Sequence, residues 1–279
     1  MKRVLDVLCA LLGLVLLAPL LAVIAAAIWL EDRRAPLFFG ARMAQVKGEF
    51  RMVKFRTMLP DAWKTGVNST AAGDRRITRV GRLLRRTKLD ELPQLWNVLV
   101  GDMSLVGPRP QVVTEAALYT MVERHILKAR PGITDLASIV FADEGEILAG
   151  SDDPDLLYNQ IIRPWKSRLA LSWNDHHTAA VDLAVIGWTL VAAVSRERAL
   201  LGVVRMLQSW GAEPMLIRMA GRREPLVAWP PPGSGRIVVG YPRASPDLDP
   251  VDGTSEFTPA PGPSGQCVDD VRGMTHEQA

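Results

Sequence analysis

The sequence predicts an α+β chain that is mainly helical, with an apolar N-terminal membrane segment, a few short strands and a disordered C-terminal tail. Three observations predict it. Val4 to Leu30 is almost wholly apolar over 27 residues, where roughly 20 are enough to cross a bilayer. After it, several segments repeat apolar residues at helical spacing, while only short stretches alternate with period 2. From Pro225 onward Pro, Gly, Ser and Asp dominate, with Trp229-Pro230-Pro231-Pro232 and Pro259-Ala260-Pro261-Gly262-Pro263, a composition too poor in apolar residues to offset the entropy of ordering. The expected division is 1–34 as anchor, 35–195 as the main domain, 196–224 as an amphipathic helical extension and 225–279 as disordered tail.

The 279 residues suffice for one generous domain or two small ones. The chain is 48% hydrophobic with a mean hydropathy of +0.09, a net charge of +3 and a pI near 9.0. That mild basic bias suits an anionic membrane surface or a nucleotide substrate and decides between neither. The two cysteines are Cys9 in the apolar segment and Cys267 in the polar tail. A structural disulfide is not expected, and a reduced cytosolic face is compatible.

In the anchor, Lys2-Arg3 precedes the apolar run and Glu31-Asp32-Arg33-Arg34 follows it. The run is too long for the h-region of an ordinary signal peptide, so it reads as retained. Basic residues on both flanks leave the positive-inside rule without a choice of orientation. Pro19 removes one backbone bond mid-run and kinks the helix. A kinked spanning helix and a broken helix that enters and leaves on one side both fit these residues.

Pro36 to Met58 reads as an extended hairpin about Lys47-Gly48-Glu49, with Phe50, Met52 and Lys54 on one face and Arg51, Val53 and Phe55 on the other. Residues 60–74 read as loop. Ile77 to Lys88 reads as a basic helix, a solvated face or a patch near anionic lipid; it lacks the aromatic interleaving of a nucleic-acid surface. Leu92, Leu95, Trp96 and Leu99 follow one buried helix face. Asp90 stands as its N-cap, Pro93 in its first turn and Gly101 as its stop. Gln111 to Lys128, Tyr158 to Leu171 and Ser195 to Glu224 read as further helices. Val181 to Val194 is apolar but only 14 residues long, too short to span and suited to a core or interfacial helix. Asp143, Glu144, Glu146, Asp152, Asp153 and Asp155 read as a solvated acidic loop. His176-His177 reads as surface, because adjacent side chains diverge.

The chemistry centres on Asp90-Glu91. An acid pair at a helix start is usually a cap. Here it lies between the cations of Arg75 to Lys88 and the stiff Gly107-Pro108-Arg109-Pro110, an arrangement suited to a metal ion and a phosphate ester. Mg²⁺ takes oxygen ligands from one or two carboxylates and substrate phosphates, and a carboxylate can attack phosphorus. Residue types alone do not say which acid does which.

The string Leu89-Asp90-Glu91-Leu92-Pro93-Gln94-Leu95-Trp96-Asn97 through Gly101-Asp102-Met103-Ser104 to Gly107-Pro108-Arg109-Pro110, with Lys54-Phe55-Arg56-Thr57-Met58 and Arg130-Pro131-Gly132-Ile133-Thr134, resembles the bacterial sugar transferase family, the monotopic polyprenyl-phosphate phosphoglycosyl transferases. The resemblance runs from the N-terminus to about Val194. It implies transfer of a sugar 1-phosphate from a nucleotide sugar, usually a uridine one, to polyprenyl phosphate at the cytoplasmic face of the bacterial inner membrane, initiating exopolysaccharide, capsule or O-antigen synthesis. By the resemblance, Asp90 is the nucleophile that holds the phosphosugar, Glu91 binds Mg²⁺, and Lys54, Arg85, Arg109 and Arg130 steady the phosphates. It also implies a re-entrant helix-break-helix anchor, although alanine precedes Pro19 where the family often has serine. Where many members continue Gly-Trp-Ala-Gln after the Ile-Thr pair, this chain has Asp135-Leu136-Ala137-Ser138, so sugar preference does not carry over. The implied partners are the nucleotide sugar, the polyprenyl phosphate and membrane lipids, not nucleic acid, and a homodimer is compatible. A catalytically inactive assembly subunit of a glycan pathway is the alternative, and the presence of both acids argues against it.

Overall fold

The computed structural model describes residues 2–44, 48–62, 67 and 69–240. The expected turn at Lys47 and the tail beyond residue 240 lie outside the described residues. Helix α1 (Lys2–Asp32) runs without interruption through Pro19, so the expected break into two helices is not seen. A proline forfeits one backbone bond and kinks a helix rather than ending it, and an apolar setting favours keeping the remaining bonds intact. The helix buries only Asp6, Ala10, Ile24 and Ile28; Val15, Leu16 and Val23 between them are about two-thirds exposed.

Both ends of α1 are fastened to one folded unit. At the start, Asp6 accepts hydrogen bonds from the Ser104 hydroxyl and the Leu105 amide, and Arg3 donates to the carbonyls of Val98 and Leu99. At the end, Asp32 takes a two-pronged ion pair from Arg56, each bond 2.6 Å, and Glu31 accepts from the amides of Arg79 and Val80.

Strands β1 (Leu37–Ala44) and β2 (Gly48–Phe55) form the expected antiparallel hairpin, with Leu37 opposite Phe55 and Ala44 opposite Gly48. The basic run becomes α2 (Arg79–Thr87), capped by the Thr78 hydroxyl accepting from the Gly81 amide. Lys88, at φ 58, turns the chain into a single 3-10 turn, Leu89–Glu91, before α3 (Gln94–Val100). Gly101 ends α3 at φ 95 as expected. Asp90 is not its cap, because it lies inside the preceding turn. The buried face of α3 also differs from the apolar spacing. Gln94, Asn97 and Val98 are buried while Trp96 is 54% exposed. Asn97 decides the rotation: its carbonyl oxygen accepts from the Val53 amide and its amide donates to the Arg51 carbonyl, which clips α3 to β2. Leu95 and Leu99 then lie towards Ala10, Phe50 and Met52.

Strands β3 (Ser104–Val106) and β4 (Gly132–Thr134) pair in parallel. Between them, the helix expected over 111–128 is split into α4 (Val113–Ala117) and a 3-10 turn at Glu123–Lys128. Glu123 causes the split: its carboxylate accepts from the Thr120 amide and from the buried guanidinium of Arg163. The main core gathers α5 (Leu136–Val140), α6 (Glu144–Ile147), α7 (Pro154–Ile161), α8 (Arg163–His176), α9 (Ala179–Val194), α10 (Arg196–Ser209) and α11 (Pro214–Ala220) around Trp165, Leu169 and Trp173. Residues 196–224, expected as one amphipathic helix, fold as two, and Val203 and Leu207 are fully buried. Helix α9 exposes Leu183, Leu190 and Val194.

The acidic segment is not a solvated loop. Asp143 pairs with Arg196 and Arg222, Glu144 with Lys166, and Asp155 accepts from the Ser69 amide. The opening of the expected disordered tail is also ordered. Trp229 packs tilted against Trp165, ring centres 5.5 Å apart, and its amide donates to the Gln160 carbonyl, while the Arg168 guanidinium donates to the Pro230 carbonyl. A single indole pair and a few backbone bonds suffice to seat a proline-rich segment that has little entropy to lose.

Candidate active site

The 3-10 turn presents two adjacent carboxylates in different surroundings. Glu91 is clamped: one carboxylate oxygen accepts from the Lys54 ammonium at 2.8 Å and from Arg109 at 2.5 Å, and the other accepts from Arg109 at 3.2 Å. Asp90, 7% exposed, has no hydrogen bond or ion pair among the described residues. Burial pushes its carboxyl up, while the Lys54 charge offsets part of that rise. Burial also pushes Glu91 up, but Arg109 and Lys54 overcome it and hold the carboxyl well below the usual glutamate value.

Each cation is placed by an identifiable local cause. Lys54 comes from the last turn of the β2 pleat, whose neighbouring positions divide the work. Phe55 packs with Ile24, Ile28 and Leu84, Arg56 holds the end of α1, and the Thr57 hydroxyl accepts from Arg85 at 3.0 Å. Gly81 lets α2 reach that far, since a Cβ there would lie 2.1 Å from the Thr57 carbonyl. Arg85 raises no ion pair but acts on Asp90 through space. Arg109 is held between two prolines with its amide donating to Asp135, which also caps α5. Glu91 raises the Arg109 pKa above its ordinary value.

A further cation, not expected from the sequence, belongs to this group. In the hairpin register Phe38 lies opposite Lys54, Gly40 opposite Met52 and Arg42 opposite Phe50, so Arg42 shares the Lys54 face. Gly40 leaves room there: a Cβ would come within 3.3 Å of the Arg42 guanidinium. Among the described residues, the Arg42 guanidinium donates to the carbonyl of its neighbour Ala41. Burial, then repulsion from Arg109, lowers its pKa to about 10. Lys54 is lowered to about 8 by the same two causes, even though it is paired with Glu91. The two partners are consistent only because Arg109 holds the larger share of Glu91. Lys54 is therefore one of four cations facing two carboxylates, a positive excess that a bound anion relieves. The hairpin register is the signal that could have revealed Arg42; it depends on the turn length, which the sequence left open.

Arg130 is not part of the cluster. Its backbone carbonyl packs against Gly107, and its side chain lines a separate cavity with Lys2 and Arg3. Closeness of the Arg130-Pro131-Gly132 motif to β3 is a backbone relation and does not aim the side chain. As for a metal, adjacent carboxylates are the hard oxygen donors that Mg²⁺ takes. No group of three His, Cys, Asp or Glu able to hold an ion occurs among the described residues, and both Glu91 oxygens are engaged. Glu91 could take an ion only by giving up a contact to Lys54 or Arg109, and Asp90 is the acid whose oxygens are free of such contacts.

The segment that holds this site is similar to known proteins. The model of the family described as bacterial sugar transferase matches residues 1–196. A Caulobacter vibrioides protein named UDP-glucose:undecaprenyl-phosphate glucose-1-phosphate transferase is 45% identical over 141 residues, covering 50% of this chain and 53% of its own length. An Aeromonas hydrophila protein named UDP-N-acetylgalactosamine-undecaprenyl-phosphate N-acetylgalactosaminephosphotransferase is 39% identical over 144 residues, covering 50% of this chain and 34% of its own. The exopolysaccharide production protein PSS of Rhizobium leguminosarum bv. phaseoli is 34% identical over 209 residues, covering 70% of this chain and 96% of its own. The chain thus spans about a third to a half of the length of the first two and nearly all of the third. The matched region contains the acid pair and all four of its cations, and the chain belongs to the bacterial sugar transferase family.

Proposed function

We propose that the protein moves a sugar 1-phosphate from a nucleoside diphosphate sugar, most simply a UDP-sugar, to polyprenyl phosphate, as the first membrane step of exopolysaccharide or a related glycan. The observation that carries this reading is the asymmetry of the acid pair: Glu91 is bound by two cations, whereas buried Asp90 is left without a partner. A carboxylate stripped of solvent and hydrogen bonds is a stronger nucleophile than a capped one.

An Asp90 carboxylate oxygen attacks the phosphorus that bears the sugar. The bond from that phosphorus to the bridging oxygen breaks, and nucleoside monophosphate leaves with the electron pair. An oxygen of polyprenyl phosphate then attacks the same phosphorus, the acyl–phosphate bond breaks, and the Asp90 carboxylate is regenerated. Arg109, Lys54, Arg42 and Arg85 offset the charge that gathers on the phosphoryl oxygens. Glu91, on releasing one of its cation contacts, would hold Mg²⁺, which would supply further charge neutralisation. The catalytic residues are thus Asp90 and Glu91, with phosphate contacts from the four cations and none from Arg130.

We also propose a re-entrant, monotopic anchor at the cytoplasmic face of the inner membrane. The fastening of both ends of α1 to one folded unit supports it, because that unit lies on one side of a bilayer and holds both ends there. The site then lies where a lipid acceptor meets a soluble donor.

The test is a panel of radiolabelled nucleotide sugars with polyprenyl phosphate and Mg²⁺. Labelled lipid is expected, lost on chelation and reduced on the order of 10⁴-fold or more in Asp90→Asn. Label held on the protein in the absence of acceptor marks the acyl phosphate. Full turnover in Asp90→Asn would sink the covalent mechanism.

A further inference from the structure

A cavity of about 610 Å³ lies away from the acid pair, at the first turn of α1. Lys2, Arg3, Lys128 and Arg130 line it with the two histidines His125 and His177, against the carboxylates of Asp6 and Asp175. Much of this charge is already committed. Lys2 is ion-paired with Asp182, Arg3 caps α3, and Asp6 is taken by Ser104 and Leu105. Lys128 and half-buried Arg130 have no ion pair or side-chain hydrogen bond among the described residues. The wall behind them is built: Trp173, 3% exposed, has Lys2 over its ring at 5.8 Å and His177 stacked on it at 4.9 Å. Its indole N–H is buried with no acceptor. Exposed Lys128 and half-buried Arg130, set against the one remaining carboxylate of Asp175, leave the cavity a positive excess that an anion accepting hydrogen bonds relieves.

The position of the cavity says which anion. Lys2 and Arg3 begin the apolar anchor, and Val4, Leu5 and Leu8 on its next turns are each about half exposed or more. Leu183, 64% exposed, follows the Asp182 that Lys2 holds. A cationic cavity at the first turn of a helix that goes on to expose aliphatic side chains matches a phosphate joined to acyl chains. We propose that this cavity binds the phosphate of an anionic membrane phospholipid, at a site separate from the one that takes the donor. The inference rests on the N-terminal helix lying in a membrane, not on the transfer chemistry.

The test counts phosphatidylglycerol molecules retained by the full-length protein, released from nanodiscs, by native mass spectrometry. The wild type is expected to keep one more than Lys128→Gln/Arg130→Gln. The charge-matched Arg82→Gln/Arg86→Gln, on the exposed side of α2, is expected to match the wild type. If inorganic phosphate removes that one lipid as readily as excess phosphatidylglycerol does, the cavity is a free-phosphate site and the lipid assignment fails. Equal retention in both double variants overturns the proposal. A folding defect in the first variant is bypassed by acetylating Lys128 in the wild type. Protection by phosphatidylglycerol vesicles but not by phosphatidylcholine vesicles is expected, and equal protection overturns it. Loss of transferase activity does not bear on either readout, so this inference and the proposed reaction fail separately.

Discussion

At Asp90, burial acts on a carboxylate that nothing neutralises by contact; at Glu91, the effect of burial is overcome by two cations. The contrast fixes the pH dependence. Asp90 has its pKa raised above the unfolded value of 3.8, so its contribution to stability is greatest below that value and declines as pH rises through the folded pKa. Glu91 has the opposite sign. Its contribution is fully present above 4.5 and is lost only as pH falls through a folded pKa well below that. Since Asp90 must be ionised to attack, the acid limb of kcat/KM is expected above the ordinary aspartate range. The alkaline limb is expected at about pH 8, where Lys54 loses its proton, and Lys54→Arg is expected to shift it upward. A pH–rate profile with no limb near 8 in the wild type would remove Lys54 from the phosphate contacts. Asp90→Asn removes a charge that has no partner, so its thermal midpoint is expected to equal or exceed that of the wild type. The sequence motifs named the acids, Lys54, Arg85 and Arg109, which the fold brings together. Arg42 could not be named, because its face depends on a hairpin register, and Arg130 lies outside the cluster, because a motif fixes backbone more firmly than it aims a long side chain.

At the scale of elements, the end of β2 connects the anchor to the chemistry. Lys54 serves Glu91, Phe55 enters the α1–α2 core, Arg56 ties down Asp32, and Thr57 seats Arg85. That seat depends on Gly81 lying against the Thr57 carbonyl. Gly81→Ala is therefore expected to push α2 away from β2. The methyl would meet rigid backbone, and such overpacking costs about 1–3 kcal/mol. Chemical denaturation is expected to show that loss together with a fall in kcat, whereas Arg86→Ala, on the exposed side of the same helix, leaves stability within about 0.5 kcal/mol. An unchanged midpoint in Gly81→Ala would mean that α2 is not seated by this contact. The existence of α2 and the stop at Gly101 could be read from Thr78 and from the glycine itself. The rotation of α3 could not, because Asn97 gains two backbone hydrogen bonds from β2 that an apolar count does not weigh.

Across the whole molecule, the two ends of a 31-residue apolar helix meet the same folded unit through Asp6 and Asp32. Single cysteines placed at residue 2 and residue 34 are expected to react with a membrane-impermeant maleimide from the same side of sealed vesicles. Opposite-side labelling would refute the re-entrant anchor. Breaking the Arg56–Asp32 pair by Arg56→Ala is expected to weaken this fastening and to lower activity by loosening Lys54 two residues away.

The sequence by itself determined that a long apolar helix precedes a hairpin and a basic helix, and that an acid pair stands between two cation-rich stretches. Those features rest on local composition, capping and period, which need no distant partner. Only the tertiary structure decided which acid is clamped and which is left bare, that Arg42 joins the cluster while Arg130 leaves it, and that residues 225–240 are docked rather than loose. Each of those depends on atoms far apart in the chain, such as Arg109 on Glu91 or Trp229 on Trp165, and the energy of such contacts comes from burial that only the folded chain creates.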